Sequence, residues 1–479
     1  MRIDLADPLL FGNDAGEDEV PEVLASYFVE GSTFDVFWDV KQKIRIARAR
    51  KGMGKSALLA KLAYDLKAVP NAIVVSVTGA DLTGMGEFSS DDPAILTNQW
   101  LQVICARVNV ELGRRIGWAG SDTKIMLVEA SELAGFRGRN FIGALADRFK
   151  SKSVELQKLA VSDHAQLLKR FVEPKSDFVV WLLVDDIDSK FVNTEKMRNK
   201  ASAFFSACRR LVNLVDGVRV RATVRADVWP VLRDSEDLDK CEQYITDIRW
   251  SRSEMENILG KKILAYYRRN YPGSVIARDW DFVRDQEKLI ELAFARRILW
   301  GGAHVPTLHA VNILAAKRPR WLSQLCRLAG EDAVRLNKSR VDLQCINLVL
   351  PKFGGLRLDD IAKEHAHQYS DVKRLVESFS QGERTYKTSD LLKRIVGSYM
   401  SRVGVLNLPQ IEGKLEVNAL SLAHFLFKTG FIQGRTDVEM NPVFVDYDER
   451  PSLLQTSVNV DDGLIWEVHP SYRGKLQIF

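Results

Sequence analysis

A glycine-rich turn between an apolar strand and an amphipathic helix is the strongest chemical signal in the sequence. Glycines allow backbone angles that turn successive amide N–H groups inward around a phosphate, and the following helix adds the positive end of its dipole. In such turns a lysine reaches the β- and γ-phosphate oxygens, and the next hydroxyl coordinates Mg²⁺. The segment therefore predicts a site for ATP and Mg²⁺, with Lys55 as a catalytic candidate and Ser56 as a metal ligand. The expected nucleotide-binding residues are Gly52, Met53, Gly54, Lys55, Ser56 and Ala57.

A second set of candidates follows the apolar run at residues 179–184, which ends in consecutive aspartates. Because the carboxyl ends of parallel strands meet at one edge of a sheet, these acids are expected beside the glycine-rich turn. Asp185 would complete the Mg²⁺ shell together with Ser56, and Asp186 would orient and polarise the attacking water. Asp188 either caps the next helix or serves as a further acid of the site.

Two positions in these motifs favour slow turnover. The usual G-x-x-x-x-G-K-[ST] pattern has glycine where this chain has Ala49, and alanine narrows the loop if a positive φ is required there. Asp186 is also shorter than the glutamate common at the water-polarising position. We expect nucleotide binding to survive both departures.

Basic residues are candidate sensors of the γ-phosphate. The strand at 218–224 places Thr223 and Arg225 at its carboxyl end, although Arg225 alternatively forms a surface ion pair with Asp227. Arg320 begins a helix behind a proline and could reach the γ-phosphate from outside the sheet. The alternative for Arg320 is ordinary solvated surface.

Composition excludes several classes of protein. The 479 residues, with 46% hydrophobic and 27% charged residues, are typical of a globular protein of about three domains. The apolar runs are far shorter than the ~20 residues of a membrane-spanning helix, and the N-terminus lacks a signal core. The five cysteines form no C-x-x-C pair, which favours reduced, mostly buried thiols and a cytoplasmic location. A net charge of +5 permits nucleic-acid contact without arguing for it.

Other catalytic or metal chemistry has little support. Residues 364–367 read Glu-His-Ala-His, but positions i and i+2 of a helix face different ways, so we expect solvent-exposed histidines. The sequence has no zinc-ligand spacing and no Ser/Cys–His–acid signature.

The elements that position these residues follow from the hydrophobic periodicity. Apolar strands at 43–47, 72–77, 178–184, 218–224 and 244–250 alternate with helices, which predicts an α/β fold with a parallel five-stranded sheet. The expected domains are a core at 1–250 with a helical insertion at about 110–172, an α-helical region at 251–380, and a domain at 381–479. In the last domain, helices at 390–401 and 417–428 before short β-like stretches indicate a winged helix.

With these motifs the chain resembles a family of prokaryotic P-loop ATPases near the KAP, STAND and origin-recognition branches of the AAA+-like ATPases. The resemblance spans nearly the whole chain and rests on residues 10–15, 51–57, 183–188, 224–229, 318–320 and 468–473. It implies an α/β P-loop NTPase core followed by a helical lid and a winged-helix-like part. It also implies an association with anti-phage defence and mobile elements.

Three functions are compatible with the sequence. The first is an ATP-hydrolysing molecular switch in prokaryotic defence, acting as a homo-oligomer or on a partner effector protein. The second is a DNA-binding ATPase of the initiator or loader kind. The third is an ATP-binding scaffold with negligible turnover. The helix predicted at 417–428 is apolar with one lysine, so any nucleic-acid binding is expected to be weak.

Overall fold

A computed structural model describes most of the chain. It covers residues 3–86, 88–116, 126–127, 163–172, 178–232, 236–413, 416–438, 441–456 and 463–478. The insertion predicted at about 110–172 lies largely outside the described residues. Its first seven residues continue the helix Pro93–Ile116, and the helix His164–Phe171 lies near its end.

A five-stranded parallel sheet forms the N-terminal part of the molecule, as predicted. Its strands are β1 (Ile44–Ala49), β2 (Ala72–Thr78), β3 (Val179–Asp185), β4 (Val218–Arg225) and β5 (Ile245–Asp247). The order β2-β3-β4-β1-β5 puts β4 between the strand that enters the glycine-rich turn and the strand that ends in aspartates. β5 is shorter than the predicted strand at 244–250, because the chain leaves the sheet after Asp247.

Both faces of the sheet are covered, which explains why β3 is apolar along its length. Trp181 and Leu183 belong to the larger of two buried apolar clusters. Val180, Leu182 and Val184 point the other way into the second cluster. The helices of this part are α1 (Pro21–Tyr27), α2 (Asp35–Trp38), α3 (Lys55–Leu66), α4 (Gly79–Gly84), α5 (Pro93–Ile116), α6 (His164–Phe171), α7 (Glu195–Leu214), α8 (Trp229–Leu232) and α9 (Glu236–Asp239), with 3₁₀ turns at Gly16–Asp18 and Glu242–Tyr244.

A mainly helical region follows the sheet. Its helices are α10 (Arg252–Asn270), α11 (Val275–Asp279), α12 (Gln286–Ala293), α13 (Thr307–Ala315), α14 (Pro319–Arg335), α15 (Leu343–His365) and α16 (Val372–Glu377). The region predicted to be α-helical at 251–380 also contains two strands. A hairpin of β6 (Arg297–Trp300) and β7 (Ala303–Pro306) interrupts it, because Gly301 and Gly302 both adopt positive φ and close a two-residue turn.

The C-terminal part is a winged-helix domain, as predicted. An antiparallel sheet of order β10-β9-β11-β8 packs against its helices. Its elements are β8 (Thr385–Lys387), α17 (Thr388–Ile395), a π-helical turn (Val396–Met400), α18 (Ser401–Val403), a 3₁₀ turn (Val405–Asn407), α19 (Ala419–Thr429), β9 (Ile432–Val438), β10 (Asn441–Val445), β11 (Ile465–Val468) and α20 (Pro470–Leu476).

The last helix, α20, fixes the winged-helix domain to the helical region. Two glycines permit a close approach to α15, since a Cβ on Gly474 would lie 2.8 Å from the Leu350 backbone. A Cβ on Gly354 would lie 2.9 Å from the Lys475 side chain. The two regions therefore pack as one unit.

Two remaining features are the state of the cysteines and the length of the apolar helices. All five cysteines are free and buried, as expected. Within the described ranges, no helix combines the length and apolarity needed to cross a membrane.

Candidate functional site

The glycine-rich turn forms a tight loop between β1 and α3. Gly52 and Gly54 have φ angles of +80° and +92°, a region that residues with side chains rarely adopt. Ala49 is the buried last residue of β1 and pairs with Arg225 of β4. Because Ala49 has strand geometry, the alanine at this position does not narrow the loop.

Five successive carbonyl groups of the loop accept hydrogen bonds from other parts of the protein. Lys55 Nζ donates to the carbonyls of Ala49 (3.1 Å) and Arg50 (3.5 Å). Arg318 Nη1 donates to the Lys51 carbonyl (3.2 Å), and the Arg320 amide donates to the Gly52 carbonyl (3.2 Å). Trp250 Nε1 donates to the Met53 carbonyl (2.9 Å). These carbonyl groups are therefore occupied, and Gly52 and Gly54 have the positive φ angles found in anion-binding nests.

Lys55 and Ser56 open α3, whose twelve residues direct the positive end of a helix dipole at the loop. Lys55 is buried, and its ammonium spans the loop to the carbonyl of Ala49. The structure thus brings the predicted lysine and hydroxyl together with the glycines.

The two aspartates lie at the carboxyl end of β3, where the sequence predicts them. Thr223 of β4 donates a hydrogen bond of 2.5 Å to Asp185 Oδ1 and so orients that carboxylate. Asp186 has a φ of +54°, and its amide donates to Asp185 Oδ1 (3.0 Å) and Thr223 Oγ1 (3.2 Å). Desolvation and the Asp185 charge raise the pKa of Asp186, which lines the cleft.

Asp188 does not cap the next helix. Thr194 is the cap of α7, since its side chain accepts from the Met197 amide. The Asp188 side chain is instead buried and accepts the Arg225 amide at 2.7 Å. Burial raises the pKa of Asp188 to about 6. Asp188 therefore supports the site by holding the backbone at the end of β4, and it does not line the cleft.

Arg225 forms the ion pair with Asp227 that the sequence allowed, but as a largely buried pair rather than a surface one. Its Nε lies 3.1 Å from Asp227 Oδ1, and Nη2 also donates to the Glu364 carbonyl at the end of α15. The guanidinium therefore links β4 to the helical region. Arg225 is not among the side chains that line the cleft.

Arg320 is the second residue of α14 and does line the cleft. Its amide donates to the Gly52 carbonyl, and a Cβ built on Gly52 would lie only 3.1 Å from Arg320 Cβ. The absence of a side chain at position 52 is what lets α14 approach the loop. Of the two arginines among the candidate sensors, Arg320 is the one that the structure brings to the glycines.

The histidines of residues 364–367 are buried, which corrects the expectation of solvent exposure. His365 packs edge-on against Phe425 of α19, and His367 Nε2 lies 3.4 Å from Asp227 Oδ2. Burial lowers the pKa of both histidines. The expectation failed because helix periodicity does not reveal that α15 ends between the sheet and the winged-helix domain.

The loop, Asp186 and α14 line an open cleft of about 1020 Å³, a volume that includes solvent at its mouth. Its lining includes the polar residues described above. It also includes the apolar and aromatic residues Leu24, Tyr27, Phe28, Val29, Trp250 and Ile258. Asn13–Gly16 also line it, so a segment known only from the family resemblance is part of the site.

Sequence reasoning missed three supporting residues: Trp250, Arg318 and Glu364. Arg318 was in a segment of the resemblance, but no role was assigned to it. Trp250 was placed in a strand, whereas its indole holds the loop. No pattern in the sequence identified Glu364 as a partner of the loop.

The fold and the site define the class of the protein: a P-loop NTPase fold of the AAA+-like type with a C-terminal winged-helix domain. No family model and none of the curated proteins searched matches the chain. Among solved structures, it is similar to the Aeropyrum pernix ORC2 protein in ADPNP–ADP complexes, with 10% identity, coverage of 98% of this chain and 96% of that one, and a TM-score of 0.42. Cdc6p from Pyrobaculum aerophilum has 10% identity, the same coverages and a TM-score of 0.36. The A. pernix ORC1 protein in complex with DNA has 12% identity, coverages of 98% and 95%, and a TM-score of 0.36. At these TM-scores the similarity is loose, and the assignment of the site rests on the geometry above.

Proposed function

We propose that the cleft binds ATP with Mg²⁺ and that hydrolysis switches the contacts between the sheet and the unit formed by the helical region and the winged-helix domain. The observation that carries this proposal is the set of donors around the loop. Arg318 and Arg320, at the start of α14, hold the carbonyls of Lys51 and Gly52. A ligand that moves the loop on binding would therefore also move the start of α14.

The residues present fit ATP and Mg²⁺. The positive φ angles of Gly52 and Gly54 shape a cradle for phosphate oxygens, and the apolar and aromatic side chains that line the cleft suit a purine ring. Ser56 and Asp185 supply the hydroxyl and carboxylate oxygens that Mg²⁺ prefers. When held by Ser56 and Asp185, Mg²⁺ would offset the negative charge of the phosphate groups.

The remaining roles follow from position and charge. Lys55 would bind the β- and γ-phosphates, and Asp186 would orient the attacking water and hold its proton. Arg320 would contact the γ-phosphate from α14. Arg225 would relay a change at β4 to α15 through its hydrogen bond to the Glu364 carbonyl.

Phosphate release from ATP tests this function. Release should require Mg²⁺, stop on addition of EDTA, and fall to background in Asp185→Asn. A matched control is Asp216→Asn, an exposed acid just before β4 at the opposite end of the sheet. Mg²⁺-independent release, or equal release by the two variants, would contradict the assignment. Tight ATP binding with release at background would instead select the scaffold function.

Nucleic-acid binding is a second candidate, and the winged-helix domain is the observation that favours it. The helix that commonly reads DNA in such domains, α19, is packed inside the molecule here. Phe425 contacts His365 and Tyr369, while Lys428 pairs with Glu412. We therefore expect weak binding without sequence preference.

Fluorescence anisotropy with labelled duplexes of two sequences at rising salt would test this candidate. A steep loss of affinity with salt and equal affinity for both sequences is the expected result. A tight, sequence-selective complex at physiological salt would make the initiator type of function the better one.

The comparisons agree better with this second candidate than with defence, since the similar solved structures bear origin-recognition names. Neither the comparisons nor a contact within the described ranges points to anti-phage defence, so the proposed function does not include it. A homo-oligomer or a partner effector protein stays a prediction.

A further inference from the structure

A buried ion pair lies directly behind the glycine-rich turn. Arg318 Nη1 is 3.0 Å from Glu364 Oε2, and the two side chains are only 5% and 1% exposed. Taking two charges out of water is costly, and apolar residues often replace such a pair without loss of stability. Packing alone therefore gives no reason for charges at these two positions.

Both members of the pair bind the backbone of the residue before Gly52. Glu364 Oε1 accepts the Lys51 amide at 3.3 Å, and Arg318 Nη1 donates to the Lys51 carbonyl at 3.2 Å. The pair thus holds the peptide groups on both sides of Lys51. This fixes the direction in which the chain enters the turn of Gly52.

The residues of this pair connect the loop to α14, α15 and β4, and a separate ion pair connects the loop to the winged-helix domain. Arg318 is the residue just before α14, and Glu364 is in the last turn of α15. The Glu364 carbonyl accepts from Arg225 of β4. In the winged-helix domain, Asp448 pairs with Arg50 of the loop at 3.0 Å. The loop can keep all these contacts only while the helical region is docked on the sheet.

We propose that the Arg318–Glu364 pair positions the phosphate loop, holding it in its binding conformation when the helical region is docked, so that docking and nucleotide binding stabilise each other. This inference rests on the proposed function. Arg318 and Glu364 are positioning residues, since they act through the backbone of Lys51. Because coupling between sites is reciprocal, a loop without the pair should bind nucleotide less well and nucleotide should no longer favour docking.

The test is the double variant Arg318→Met/Glu364→Leu, which replaces the pair by apolar side chains of similar size. We expect it to fold with a Tm close to that of the parent, and ATP affinity to fall about tenfold or more, because one or two loop residues must then be ordered on binding. ATP-dependent protection from limited proteolysis should also disappear. The control is Asp359→Leu/Lys373→Met, which removes an exposed pair involving α15 that does not contact the loop.

A folded double variant that binds ATP as tightly as the parent and keeps the ATP-dependent protection would overturn the inference. If the double variant does not fold, Arg318→Lys decides. Lysine keeps the buried charge but is shorter and lacks the planar fork, so ATP affinity should fall several-fold without a change in Tm. Equal affinity would refute the positioning role. Failure of the proposed function has a different signature, because Lys55→Ala would then bind ATP as well as the parent.

Discussion

Asp188 provides a test in which the sign and size of the pH dependence of folding stability follow from the burial of one carboxyl group. The side chain is 1% exposed, and its pKa is raised from 3.8 to about 6. Between these pH values the folded chain holds a proton that the unfolded chain has already released. Stability therefore falls as pH rises through this window, with a full effect of about 3 kcal/mol.

Asp188→Asn removes this titration while keeping an oxygen that can accept the Arg225 amide. Any cost of the new amide group does not depend on pH and cancels when two pH values are compared. Because the parent loses stability as pH rises and the variant does not, we expect the free energy of unfolding of the variant, relative to that of the parent, to increase by about 2 kcal/mol between pH 4 and pH 7.5.

Urea denaturation followed by circular dichroism at both pH values measures this difference directly. Asp216→Asn is the control, since a hydrogen bond from Lys43 lowers the pKa of that exposed acid and its effect should be small and opposite in sign. A difference between Asp188→Asn and the parent that is the same at pH 4 and pH 7.5 would refute the argument from burial.

Three further outcomes concern the reaction and the response to the γ-phosphate. Asp186→Asn should bind ATP about as well as the parent while phosphate release falls about 10²-fold, within the range for loss of a general base; unchanged release would assign the role to another acid. Because the pKa of Asp186 is raised, release by the parent should increase with pH above the usual aspartate range, and this dependence should be absent from Asp186→Asn. Arg320→Ala should leave ADP binding nearly intact but reduce the preference for ATP and remove ATP-specific protection from proteolysis. Equal protection of both proteins by a non-hydrolysable ATP analogue would show that Arg320 is not the residue that responds to the γ-phosphate.

The local part of the site could be predicted from the sequence because its geometry is set by adjacent residues. Gly52, Gly54, Lys55 and Ser56 act within one strand–turn–helix unit, and the structure places them as expected. The position of the aspartates at the end of β3 could be predicted for a similar reason, because an apolar run shows where a buried strand ends. The order of the strands then brings the two motifs to one edge of the sheet.

The contacts that support this unit could not be predicted, because they join residues far apart in the chain. Glu364 and Lys51 are an example, and His365 meets Phe425 of another domain. A helical pattern indicates which residues share a face, but not which element covers that face. The hairpin at β6–β7 was missed for a different reason: its strands have four residues each, too short for a periodic signal.

The central claim is that the glycine-rich turn binds the phosphates of ATP through Lys55. Isothermal titration of the parent and Lys55→Ala with ATP and Mg²⁺ tests it most directly, with Lys67→Ala, an exposed lysine just after α3, as control. Loss of charge-assisted hydrogen bonds worth about 1.5–3 kcal/mol each should weaken ATP binding at least tenfold to a hundredfold. The fold should survive, since the Ala49 carbonyl still accepts the Ala226 amide at 3.0 Å. A folded Lys55→Ala that binds ATP as tightly as the parent and Lys67→Ala would contradict the account.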